Sequence, residues 1–283
     1  MENTNVRKII IAALLATSMS WNANAKGTTI EATSNTEKAI QFLKSIETGA
    51  TEPHKYVGAY KQHNLNIPTG LEGLLSVVKQ LPPGSGKVNT VRAFRDDDYV
   101  VTHTEYNFFG PKIGFDVFRF KNGKIEEHWD NLQVNPMKPN PSNRTMIDGP
   151  TEVKDLHKTE KNKKLAKNFV TDILVQGDLK KLKSYDFGDN YLQHNPVIAD
   201  SLKSLVEALG KWQKEGFVVK YNSIKKVLGQ GNFVLVMSEG LFDNKPAAYY
   251  DLFRIENDRI EEHWDTIEEI PSKQASKNDN GKW

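Results

Sequence analysis

The sequence predicts an α+β protein made of two copies of one unit, for three reasons. Asp116 to Asp130 reads DVFRFKNGKIEEHWD and Asp251 to Asp265 reads DLFRIENDRIEEHWD, identical at ten of fifteen positions. Upstream, Tyr60-Lys61-Gln62-His63-Asn64 matches Tyr191-Leu192-Gln193-His194-Asn195, at an offset of 131 against 135 downstream. Within each copy, apolar residues recur first at helical spacings and then at alternating spacings, which places helices before an antiparallel sheet.

The first 25 residues read as an address. Arg7 and Lys8 precede the apolar run Ile9–Ala16, and Ala23-Asn24-Ala25 has the small-x-small form of a cleavage site. Residues 1–25 are thus expected to be a signal peptide, cut after Ala25, since the run falls well short of the roughly 20 apolar residues a membrane span needs. The protein is expected to be exported, periplasmic or secreted, with no membrane contact after cleavage.

The first copy is placed at 37–135. Ser34-Asn35-Thr36-Glu37 has capping-box form and opens a helix carrying Ile40, Leu43 and Ile46. A second helical stretch is expected around 53–60 and a third with Leu71, Leu74, Leu75 and Val78 on one face. Strands are expected at 88–95, 99–108, 114–121 and 124–134. Pro136, Pro139, Pro141 and Pro150 mark 136–159 as an extended linker. The second copy, 160–271, repeats the pattern. Leu165, Phe169 and Ile173 lie in its first helix, and Leu202, Leu205 and Leu209 in a later one. Its strands are expected at 217–228, 232–242, 248–256 and 259–268. Residues 272–283 are polar and read as a flexible tail.

Composition narrows the function classes. Lys plus Arg number 38 against 36 Asp plus Glu, so a net charge of +2 gives no case for nucleic-acid binding. The absence of cysteine in 283 residues excludes disulfides, thiol nucleophiles and iron–sulfur clusters. Gly84-Ser85-Gly86-Lys87 resembles a truncated phosphate loop, but it lies between a helix and a strand, the wrong order.

The closing hairpin holds most of the polar identity. With a two-residue loop, Phe120 pairs with Ile125 and Asp116 lies across from Trp129. With a three-residue loop and a glycine bulge at Gly123, Phe120 pairs with Lys124 and Asp116 lies across from His128. The second arrangement is the favoured one. It puts Asp116, Phe118, Phe120, Glu126, His128 and Asp130 on one face, and Val117, Arg119, Ile125, Glu127 and Trp129 on the other.

Tyr-x-Gln-His-Asn, a strand His, Asp-x-Phe-Arg and Asn-Gly-Lys-Ile-x-Glu-His-Trp-Asp together resemble the SnoaL-like polyketide cyclase family, of the nuclear transport factor 2-like fold. The resemblance covers both copies. It implies two tandem cone-shaped α+β barrels, each with three helices packed on a curved antiparallel sheet around a pocket. It also implies ring closure by intramolecular aldol condensation without metal or cofactor, with an acid at the place of Asp130. At the place of Asp116 the family carries His. The same superfamily includes ketosteroid isomerases, epoxide hydrolases and non-catalytic binding modules.

Candidate site residues follow from both lines. Asp116, Asp130, Asp251 and Asp265 are carboxylates on otherwise apolar strands. An apolar pocket would raise the pKa of such a group and suit it to moving a proton at carbon. His128 and His263 accompany them. His63 and His194 serve either as donors at the pocket mouth or as buried rings bonded to backbone. His103 has no histidine counterpart in the second copy, which makes the first pocket the more active one. These residue types could hold a divalent cation, but their spacing matches no standard motif, so no metal is expected. Arg119 and Arg254 are expected to face away and pair with Glu127 and Glu262. Trp129 and Trp264, with Val117, Leu252, Ile125 and Ile260, form an apolar outer stripe that needs a cover. The copies are therefore expected to pack sheet to sheet as an internal pseudo-dimer, with a further homodimer left open. The expected ligand is a small, largely apolar carbonyl compound, either turned over by cofactor-free cyclisation or isomerisation or simply bound.

Overall fold

The computed structural model describes residues 33–283, apart from the side chains of residues 188–190. The expected signal peptide, 1–25, lies outside the described residues. Among the described residues, no helix is long and apolar enough to cross a membrane.

Helix α1 (Asn35–Thr48) opens on Ser34, whose side chain accepts from the Glu37 amide while Glu37 reaches back to the Ser34 amide, and it closes on Gly49 in the left-handed region. A short 3-10 turn (Glu52–Tyr56) leads into β1 (Val57–Gln62). The stretch around 53–60 is therefore not a second helix. Pro53 sits at the start of the turn, and Val57 onward pairs with the last strand of the sheet. Helix α2 (Gly70–Val78) precedes a meander of β2 (Lys87–Asp96), β3 (Tyr99–Asn107), β4 (Pro111–Lys121) and β5 (Lys124–Val134). The order in the sheet is β1-β5-β4-β3-β2. The sheet is mixed rather than purely antiparallel, because β1 runs parallel to β5.

The second copy repeats this plan. Helix α3 (Thr159–Phe169) runs on as a π turn (Val170–Val175) and is followed by a 3-10 turn (Leu179–Ser184). Then come β6 (Phe187–Gln193), α4 (Leu202–Lys214), β7 (Val219–Gln230), β8 (Phe233–Phe242), β9 (Lys245–Glu256) and β10 (Arg259–Glu269). The order β6-β10-β9-β8-β7 is the same, with β6 parallel to β10. Each copy thus packs two α-helices and shorter turns on its sheet, not three regular helices.

The closing hairpin starts in the two-residue register, with Phe120 opposite Ile125, and departs from both expected registers beyond Glu126. Asn122 (φ +51°) and Gly123 (φ +71°) are both left-handed, as are Asn257 and Asp258, and two such residues make a type I′ loop. Phe120 pairs with Ile125 across that loop. The ladder then slips at Glu126, so Arg119 meets Glu127 and Asp116 meets Asp130. The bulge lies one step into β5 rather than at Gly123. Because of it, Ile125 joins Phe118 and Phe120 in the core under the helices instead of the outer face. Ile260 moves likewise, into the core with Phe253 and Ile255. Glu126 leaves the inner face and lies over β1, where its carboxylate accepts from the Ala59 amide at 3.4 Å.

The outer faces of the two sheets share one core. Phe94, Val101, Phe115, Val117 and Trp129 from the first meet Leu235, Met237, Tyr250, Leu252 and Trp264 from the second. Two sandwiches pin this contact. His63 stacks on Trp129 at 4.4 Å, and the Lys226 ammonium sits 5.1 Å from the same indole. His194 stacks on Trp264 at 4.6 Å, and the Arg92 guanidinium lies 4.3 Å from that ring. Arg92 also donates to the carbonyls of Ile147, Asp148 and Pro150.

The linker and the tail are both docked, and they cross over. From the linker, Asn140 Nδ2 donates to the carbonyls of Gln193, Asn195 and Ile198, and Thr145 O accepts from His194 Nδ1 at 2.7 Å. From the tail, Asn278 Nδ2 donates to Asn64 O and Ile67 O, Asn280 Nδ2 donates to Gln62 O, and Gly281 O accepts from His63 Nδ1 at 2.7 Å. Each segment thus straps the same corner of the opposite copy. Residues 272–283 are not a frayed tail, because their amide side chains bond carbonyls at the end of β1 and in the turn after it.

Candidate active site

The first copy encloses a cavity of about 60 Å³ between its sheet and its helices. Phe42, Leu43 and Ile46 of α1 and Leu74, Val77 and Val78 of α2 line it, with Asp116, His128 and Asp130 on the sheet side. Phe109, 58% exposed, marks its mouth. Asp116, His128 and Asp130 are all buried.

One hydrogen-bonded chain organises the polar floor. Asp116 accepts from Tyr106 Oη at 2.5 Å, from His128 Nε2 at 3.1 Å and from Thr102 Oγ1 at 3.3 Å. With the Nε2 proton spent on Asp116, His128 Nδ1 accepts from Tyr60 Oη at 3.0 Å. Asp130 Oδ2 accepts from Asn64 Nδ2 at 2.9 Å, while Asp130 Oδ1 is buried without a partner. Burial pushes the Asp130 carboxyl above the usual range. The Asp116 charge reinforces this, and His128, Lys282 and the Asn64 hydrogen bond oppose it. Burial likewise lifts the Tyr60 and Tyr106 hydroxyls well above their ordinary values.

Tyr60 reaches the floor through an unusual backbone. Its φ is +46°, rare for a bulky residue, and the β1 ladder is irregular there. Tyr191 repeats the feature at φ +35°.

The second cavity, about 40 Å³, has the same acids with different wiring. Asp251 Oδ1 accepts from His263 Nε2 at 3.0 Å and from Tyr221 Oη at 3.1 Å. His263 Nδ1 donates to Gln193 Oε1 at 3.1 Å, so both ring nitrogens donate. Burial disfavours that cation, but the Asp251 hydrogen bond and the Asp265 and Asp251 charges outweigh it and raise the His263 pKa. Asp265, raised by burial, accepts from Asn195 Nδ2 through both oxygens, and here the oxygen without a partner is Asp251 Oδ2.

The other three candidate histidines, His63, His103 and His194, lie on the other side of the sheets. His63 and His194 sit in the tryptophan sandwiches and hold the straps, not the pocket mouths. His194 Nε2 also donates to Glu262 Oε1 at 2.8 Å. His103 stacks on Phe115 at 4.3 Å, and its Nδ1 accepts from Arg92 Nη1 at 3.1 Å. Burial and then the Arg92 charge hold its pKa well below the usual imidazole range. Strand alternation explains the placement, since neighbours of cavity-facing residues must point away. Arg119 and Arg254 also face away and bond Glu127 and Glu262 at 2.9 and 2.6 Å.

Tyr60, Asn64, Tyr106, Gln193, Asn195 and Tyr221 belong to the sites although sequence reasoning passed over them. A signal was present for some. In a strand, Tyr60, Gln62 and Asn64 share one face and His63 takes the other, whereas the helix expected over 53–60 hid that parity.

Among the described residues, Asp116, His128 and Asp130 form one set whose ligand atoms lie within 4.8 Å of one another. His128 Nε2 is already engaged with Asp116, so a cation would have to displace that proton. The arrangement is a hydrogen-bonded network. It leaves Asp130 Oδ1 buried and without a partner, on a residue that lines an apolar cavity.

No protein-family model matches the chain, and no curated protein sequence matches it. Several solved structures are similar over about a third of it. One is a protein provisionally named a polyketide cyclase from Bacillus cereus, with 21% identity over 35% of this chain and 74% of that one and a TM-score of 0.32. Another is a nuclear transport factor 2-like protein of unknown function from Cytophaga hutchinsonii, with 10% identity over 35% of this chain and 90% of that one and a TM-score of 0.31. A third is a protein provisionally named a ketosteroid isomerase from Kribbella flavida, with 13% identity over 37% of this chain and 82% of that one and a TM-score of 0.31.

Proposed function

We propose that the protein is an exported, SnoaL-like acid–base catalyst that moves a proton at carbon in a small, largely apolar carbonyl compound. Asp130 is the base. Its Oδ1 takes a proton from the carbon beside the carbonyl, leaving an enolate. Where the substrate carries a β,γ double bond the enolate is conjugated with it, and the proton returns to the γ-carbon, giving an isomer. Alternatively the enolate carbon attacks a second carbonyl of the same molecule, and the resulting alkoxide takes the proton from Asp130 to close a ring. Tyr60 is the hydroxyl placed to turn from His128 toward the enolate oxygen.

The observation that carries this reading is the buried, unpartnered Asp130 Oδ1 of a residue that lines an apolar cavity, on a carboxyl whose pKa burial raises. A carboxylate in that state is a stronger base than one in water. The second cavity supports a weaker version, because Asn195 holds both oxygens of Asp265.

A second reading, a binding module without turnover, draws on the saturation of the other donors. Tyr60 and Tyr106 already spend their protons on His128 and Asp116. One experiment separates the two. A panel of apolar ketones is incubated with the protein in deuterated water and followed by mass spectrometry. Catalysis predicts deuterium uptake that falls by about 10²–10⁴-fold in Asp130→Asn. Uptake that survives both Asp130→Asn and Asp265→Asn removes the proposed base. Binding of a ketone without uptake leaves the module reading.

A further inference from the structure

The first site is not built from the first copy alone. The strap formed by the C-terminal segment brings Lys282 against β5 at Asp130, where the lysine side chain is 6% exposed. Its Nζ donates to the main-chain carbonyl of Asp130 at 2.8 Å and to Glu268 Oε2, on β10, at 2.7 Å. The ammonium therefore joins three parts of the chain: the strand that presents the base, the last strand of the second copy, and the strap. Burial of a lysine this complete is uncommon unless it is paired. Here the pairing falls on the residue whose carboxyl faces the cavity.

We propose that Lys282 is a positioning residue of the first site. It fixes the stretch of β5 that carries Asp130 and supplies the positive charge against which that acid works. This assignment rests on the role of Asp130 proposed above. It adds that the first site is incomplete without the strap of the second copy. In the second site Asn195 bonds both oxygens of Asp265, and the oxygen without a partner lies on Asp251.

The charged and titratable groups around Asp130 come from every side. His128 lies on its own strand and Asp116 on β4. Tyr60 and Tyr106 come from β1 and β3, Tyr250 and Glu268 from the second sheet, and Lys282 from the strap. Lys282 opposes the rise that burial imposes on Asp130, while Asp130 and Glu268 oppose each other's ionisation. Two changes therefore move the acid in opposite directions.

The test is a carboxyl titration of the full chain carrying ¹³C-labelled aspartate, with Asp130→Asn used to assign the Asp130 resonance. Lys282→Met is expected to shift the Asp130 midpoint upward and Lys282→Arg to restore it. Glu268→Gln is expected to shift it downward. It also keeps the proposal testable if Lys282→Met does not fold. An unchanged midpoint in folded Lys282→Met, or in Glu268→Gln, overturns the proposal. The readout needs no substrate. Shifted midpoints without deuterium uptake by the wild type sink the catalytic reading alone, and uptake with unmoved midpoints sinks the role of Lys282 alone.

Discussion

In the proposed mechanism Asp130 couples function to stability through one proton. Its folded pKa is raised above the ordinary value of 3.8, so the protonated form is the one the fold prefers. The sign follows from linkage. The stabilising contribution is complete below 3.8 and is lost as pH rises through the folded pKa. Asparagine keeps the shape and cannot ionise. Asp130→Asn is therefore expected to raise the thermal unfolding midpoint at pH 7 and to leave it close to wild type at pH 3.5. A midpoint lowered equally at both pH values would show that the carboxylate is a structural asset. Sites that carry a strained or desolvated charge for chemistry commonly show this exchange of stability for activity.

The paired sheets show how one element plan can hold its acids by different side chains. In the first sheet, Tyr106 of β3 bonds Asp116, and it pairs across the ladder with Val88 of β2. In the second, Tyr221 of β7 bonds Asp251, and it pairs with Gly240 of β8. The phenol has moved one strand over, and glycine stands where the other tyrosine was. Tyr249 of β9 fills the freed space and stacks on Tyr221 at 4.1 Å. Gly240 is fixed by that packing, since a Cβ there would lie 1.8 Å from Lys220 O and 3.0 Å from the Tyr249 ring. Gly240→Ala is expected to destabilise the protein by about 1–3 kcal/mol, read from denaturant midpoints. A neutral result would mean that β7 yields without cost. The strands were legible because Val, Ile, Phe and Tyr alternate with polar residues through β3 to β5 and β8 to β10. The tyrosine exchange was not legible. It involves a contact between strands, and the copies match poorly in sequence there. The hairpin register was half legible: Asn122-Gly123 announces the type I′ loop, but nothing in Glu126 itself announces a bulge that the parallel β1 strand imposes.

Across the whole molecule, the core between the sheets belongs to both copies. Phe115, Val117 and Trp129 share one core with Tyr250, Leu252 and Trp264 of the second sheet, so each sheet buries the outer face of the other. The repeat in the sequence was enough to expect such a contact, because a stripe of indole and aliphatic side chains cannot face water. The straps could not be foreseen from polar composition, since asparagine and lysine read as solvent-loving until partners are known. Residues 33–135 expressed alone are expected to bind a hydrophobic dye and to lack near-ultraviolet dichroism. Sharp tertiary signals from that fragment would refute a shared core.

The crossed straps also decide what a cut would do. A protease nicking the backbone between Asn135 and Lys138 would not set the copies adrift. The shorter fragment keeps its collar, because Asn278, Asn280 and Gly281 arrive from the other piece and not through the severed bond. The product is a one-to-one heterodimer assembled from a single gene, with Asp130 on one fragment and Lys282 on the other.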